Sequence, residues 1–188
     1  LNATHTDAAV SIRAHSMPSI AKYVDYFGSV GAEHVIIADT IDNTSGYHNP
    51  QTLEMSDAGE IDLWNSIFYD IIDNNDPIVG IKKLQTQLAI YKTHSISMAW
   101  PNFSGGNDDP FDFTQNKVNI GTPSIRTVVD FGDYHIFFGW DNVYVFNGIG
   151  VTPIGSDIMN DINASINRPF MNRSFACSIP NKNLYILF

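Results

Sequence analysis

The residue types that do chemistry are scattered along this chain rather than grouped. Its six histidines, His5, His15, His34, His48, His94 and His135, include no His-Glu-x-x-His and no other paired metal spacing. His34 and His135 each open an apolar run, which marks them as packed strand residues. An acidic stretch, Asn107-Asp108-Asp109 with Asp112, carries oxygen ligands suited to a hard cation. It lacks the alternating acidic order and closing glutamate of an EF-hand, so it reads as a solvated loop. Asp73-Asn-Asn-Asp76 ahead of Pro77 reads as a turn.

Ser56-Asp57-Ala-Gly59 lacks one residue of the Asp-box pattern Ser-x-Asp-x-Gly-x-x-Trp, and Trp64 falls two positions late. That segment reads as a structural turn beside a packed tryptophan. No phosphate-binding glycine loop and no Gly-x-Ser-x-Gly elbow occurs. Paired carboxylates for glycoside cleavage stay open, since their members would come from distant parts of the chain. No catalytic, cofactor-binding or metal residue is therefore assigned, no cofactor is expected, and a non-enzymatic protein is expected.

Composition narrows the class further. The 188 residues, 44% hydrophobic and 16% charged, suit one globular domain with a real core. Twelve Phe and eight Tyr, with abundant Val and Ile, favour pleated surfaces over helices. The formal net charge is −10, and the densest basic spot is only Lys82-Lys83. A chain that grips phosphates would carry a basic stripe, so no specific nucleic-acid binding is expected. The one cysteine, Cys177, rules out an intrachain disulfide and a thiolate cluster. Its apolar setting, Ser174 to Ile179, predicts a buried small hydrophobe. No apolar run approaches the length of a membrane helix, and no membrane partner is expected.

The elements that must position these residues read mainly as strands. Residues 1–20 have no period and form an extended lead-in; residues 21–188 form the β domain. Strands are predicted at 22–27, 34–39, 52–56, 78–84, 87–92, 95–100, 111–118, 124–131, 134–139, 142–147, 173–179 and 183–188, separated by Gly, Asn, Asp and Pro turns. One helix stands out over 156–166. Ser156 is placed to cap it, Asp157 suits its N-terminus, and Ile158, Ile162 and Ile166 make an apolar stripe.

A repeat runs through the strands. Leu88-Ala-Ile-Tyr-Lys92, His135-Ile-Phe-Phe-Gly139 and Leu184-Tyr-Ile-Leu-Phe188 share one pattern, spaced 47 and then 49 residues apart. A looser copy, His34 to Asp39, lies 54 residues before the first. A period of about 40–50 residues with several strands is that of propeller blades. A β-sandwich with evenly spaced hairpins is the alternative. The sequence begins at Leu1 and stops at Phe188 inside a strand pattern, so an incomplete propeller is expected.

The order of several segments is similar to β-propeller-containing structural proteins of tailed bacteriophages. Pro50-Gln-Thr-Leu-Glu-Met-Ser-Asp-Ala-Gly59 with Trp64 resembles a strand, turn and tryptophan element of that family. Pro77 to Leu84, Leu88 to Lys92, Ile120 to Ser124, His135 to Phe138, Asn142 to Gly148 and Pro153 to Ile158 follow in the same order. The match covers residues 20–188. The resemblance implies a tail, nozzle or head-to-tail connector protein that sits in the virion and acts by assembly. Its partners would be other virion structural proteins and copies of itself in a homo-oligomeric ring. A glycan-binding or glycan-cleaving propeller for host adsorption is the alternative, which exposed aromatics such as Trp100 or Trp140 would favour.

Overall fold

A computed structural model describes residues 19–30, 32–64, 67–70, 75–102 and 110–188, with the backbone alone for 67–70, 116 and 180. These residues form an all-β protein of four successive antiparallel sheets with one α-helix. The first sheet runs β1 (Ile20–Ser29), β2 (Ala32–Ile41), β3 (His48–Met55) and β4 (Ile67–Asp70), each strand paired with the next. The second runs β5 (Ile78–Leu84), β6 (Gln87–Lys92), β7 (Ile96–Pro101) and β8 (Phe111–Val118). The third runs β9 (Val129–Asp130), β10 (His135–Phe138), β11 (Val143–Phe146) and β12 (Val151–Pro153). β13 (Ala176–Ile179) and β14 (Leu184–Leu187) pair as the fourth.

The repeat is visible in this order. β2, β6, β10 and β14 are each the second strand of their sheet, so the segments that share a pattern occupy equivalent places. Three apolar cores lie between consecutive sheets. Phe27, Ile36 and Leu53 of the first sheet meet Ile81, Leu88 and Ile90 of the second. On the other face of β6, Ala89 and Tyr91 meet Phe137, Tyr144 and Phe146 of the third. Side chains alternate across a strand, so a strand sandwiched between two sheets must be apolar at every position. That is why Leu88-Ala-Ile-Tyr reads as an unbroken apolar run. Burying each of its large side chains stabilises the fold by about 1.5–3 kcal/mol.

The first connection depends on a glycine. β1 and β2 pair in one register from Ile20↔Ile41 to Ser29↔Ala32. Gly28 has φ +150, and a Cβ there would lie 2.5 Å from the Ala32 carbonyl oxygen. Only glycine fits that approach.

Four expectations are corrected. The strand predicted over 124–131 is mostly a 3-10 turn, Ile125–Thr127, followed by the two-residue β9. Hydroxyls take the backbone groups that a ladder would use: Thr127 donates to the Ser124 carbonyl at 2.8 Å, and the Ser124 N–H donates to the Thr122 hydroxyl at 3.2 Å. Likewise Arg168–Arg173 is a 3-10 run opened by Pro169, so β13 starts only at Ala176.

The helix α1 spans Met159–Ser165, shorter than 156–166. Ser156 makes no cap, because Asn142 Oδ1 accepts the Gly155 N–H at 2.9 Å and a turn from Gly155 to Ile158 comes first. Ile158 is exposed, while Met159 is buried and Ile162 and Ile166 pack half-buried on the third core. Finally, Cys177 is exposed. It pairs with Ile186, between Tyr185 and Leu187, which are the β14 side chains that pack against the third sheet.

Candidate functional site

The larger described cavity, about 590 Å³, opens between the first two sheets and the 123–126 segment. β1 contributes Lys22 and Tyr23, the end of β2 contributes Asp39, and the start of β3 contributes His48. Ile78, Pro123, Ile125 and Arg126 line the opposite side.

Asp39 organises the charged side. The β2–β3 register shifts between Ala38 and Thr40, and Asp39 takes the left-handed φ of +56. That backbone is uncommon outside glycine, though Asp tolerates it better than most residues. The side chain is 7% exposed, yet its carboxylate is paired on both oxygens. Lys22 Nζ lies 3.3 Å from Oδ2, and His48 Nε2 contacts Oδ1. A hydrogen bond with Tyr23, reinforced by the Asp39 charge, holds the Lys22 ammonium above its ordinary pKa. Arg126 donates one guanidinium N–H to the Arg173 carbonyl at 2.8 Å.

A smaller cleft of about 280 Å³ lies where the second sheet meets the β11–β12 turn. Half-buried Trp100 lines it with Gln87, Thr114 and Lys117, opposite Gly148 and Ile149. Trp140 has a different setting. Its indole N–H donates to the Thr93 carbonyl at 2.6 Å and its ring lies 6.1 Å from that of His94, which pins one hairpin tip to another sheet.

The structure places the other chemical candidates apart. His34 donates from Nδ1 to the Ser56 carbonyl at 2.6 Å, with Phe111 edge-on to its ring. His135 donates from Nε2 to the Lys83 carbonyl at 3.0 Å and accepts at Nδ1 from the Tyr91 hydroxyl at 2.9 Å. Burial lowers its pKa to about 4, so it is the neutral imidazole at pH 7.

Asp76 accepts from the His94 N–H at 2.9 Å and the Ser95 hydroxyl at 2.6 Å, the work of a turn residue. Ser56 is buried and accepts the Val35 N–H at 2.9 Å, while the Trp64 indole donates to the Ile61 carbonyl at 3.1 Å. Asp112 is exposed on β8. His5, His15, Asp73 and the Asn107–Asp109 stretch lie outside the described residues. Among the described residues, no three His, Cys, Asp or Glu side chains group as metal ligands. None of their helices is long and apolar enough to cross a membrane.

Lys22, Asp39 and His48 are the grouping that sequence reasoning missed. Asp39 and His48 sit nine residues apart across a polar loop, a spacing that belongs to no ligand motif. The signal present in the sequence was weak: an acid at a strand end and a histidine where the loop returns. Compared with protein-family models, the chain matches none, and no curated protein matches it.

Proposed function

We propose that this chain is a non-enzymatic structural component of a tailed-phage virion, a propeller-like module of the tail or neck that works by assembly. The observation that supports this reading is the stack of successive antiparallel sheets joined by three apolar cores, taken with the segment order that resembles phage propeller proteins. Sheets packed on both faces make a stiff body, and stiffness is what a part that fits neighbours requires. Its partners in this reading are other virion proteins and further copies closing a ring. Such a part buries at least about 1,000 Å² against them and gains stability on assembly.

The Trp100 cleft favours a second reading. A half-buried indole flanked by Gln87, Thr114 and Lys117 is a stacking surface beside hydrogen-bonding groups, as a sugar ring needs. In that reading the module binds surface glycans during adsorption.

One paired assay separates the two. Purified particles are searched for the chain by mass spectrometry, and isolated protein is incubated with host-surface polysaccharide. The assembly reading expects the chain in the particle and no released oligosaccharide. Absence from the particle, with cleavage abolished by changing one acidic residue, overturns it.

A further inference from the structure

The cavity between the first two sheets carries an inference independent of the assembly reading. We propose that it binds a small anionic ligand with a ring-sized body, of the class of carboxylate- or phosphate-bearing sugars.

Charge is the first argument. Acidic residues outnumber Lys and Arg by 20 to 10 in this chain. Yet Lys22 and Arg126 line one cavity beside His48, with Asp39 the one acid among its described lining residues. Asp39 is already engaged on both oxygens, so its role is to hold Lys22 and His48 in place. Arg126 uses one N–H on the Arg173 carbonyl, and the rest of its planar fork has the geometry that carboxylate and phosphate accept.

Shape is the second argument. The volume, about 590 Å³, falls within the range of roughly 300–1,000 Å³ typical of small-molecule sites. Tyr23, Ile78, Pro123 and Ile125 give it apolar walls for a ring, and Thr93 and Asn172 add polar groups. An inorganic anion alone would leave those walls against water.

The third argument is backbone strain. Asp39 is a buried non-glycine residue in a left-handed conformation beside the β2–β3 register shift, and such strained residues cluster at ligand clamps. Here that backbone sets a carboxylate where it anchors the Lys22 ammonium and the His48 imidazole.

The test is calorimetric titration of the whole chain with glucuronate, glucose 6-phosphate and glucose. Saturable binding is expected for at least one of the anions and at least tenfold weaker binding for glucose. The tighter anion identifies the group recognised. Arg126→Gln and Lys22→Gln, both at exposed side chains, should each weaken the anion about tenfold, the loss of one charge-assisted contact. Thermal melts confirm that each variant is folded. Equal binding of glucose and the anions, no binding of any of the three, or affinity unchanged in both variants would overturn the proposal.

Discussion

The Tyr91 hydroxyl donates a 2.9 Å hydrogen bond to His135 Nδ1, tying β6 of the second sheet to β10 of the third across their shared core. Both side chains are fully buried, and His135 donates its one ring N–H, at Nε2, to the Lys83 carbonyl. The pair therefore has a fixed tautomer and a neutral ring. Polar groups this deep are tolerated only because each has its partner.

That arrangement makes stability depend on pH. Burial lowers the His135 pKa to about 4, whereas an unfolded histidine titrates near 6.5. Between those values the unfolded chain takes up a proton that the folded chain does not. The contribution is complete above about pH 6.5 and falls as pH drops toward 4, by about 3 kcal/mol in all. Urea melts across pH 4–7 should show this slope, and His135→Leu should remove that part of it. An unchanged slope in the variant would contradict the assignment.

Tyr91→Phe leaves the ring packing intact and strips the donor from His135 Nδ1. A buried acceptor without a partner costs about 1–3 kcal/mol. Denaturant midpoints should fall accordingly, with little change in m-value.

Close approach of the second sheet to the 125–127 turn is tested at Gly80. A Cβ on Gly80 would overlap the Ile125 side chain. Gly80→Ala should destabilise by about 1–3 kcal/mol. Adding Ile125→Ala should recover part of that loss, giving a coupling energy of about 0.5–3 kcal/mol in a double-mutant cycle. Simple additivity would mean that the two sites do not meet.

The helix gives a contrast between neighbours. Met159 is buried in the third core, whereas Ile162 is half-buried on it. Met159→Ala should cost about 2–5 kcal/mol, and Ile162→Ala less than half as much. Thermal or urea unfolding of the two variants checks the order, and a larger loss at Ile162 would contradict the packing.

These elements show where sequence reasoning reached. β5, β6 and β8 were legible at their full bounds, because strands packed in a stack carry dense apolar patterning between clear turns. β9 was not, because Thr122 and Thr127 look like strand residues yet spend their hydroxyls on the local Ser124 backbone, while the Ser124 hydroxyl donates to the distant Ser174 carbonyl. The helix was found, but its start was misplaced by the Asn142 side chain, a contact from the β10–β11 turn. Cys177 sits in an apolar run whose pattern does not reveal which face the third sheet covers. The Asp39 cluster was invisible for a similar reason. It depends on a β2–β3 register shift beside a left-handed Asp39, and no spacing announces either.

The central claim is that this chain is a structural part of a particle. Its most direct test is electron cryo-microscopy of purified virions carrying a small tag after Ile149, an exposed residue in the β11–β12 turn. The account predicts tag density in the tail or neck, repeated by rotational symmetry, with the stacked sheets fitting the density beside it. Particles complete in tail and neck but lacking both tag and chain would contradict it.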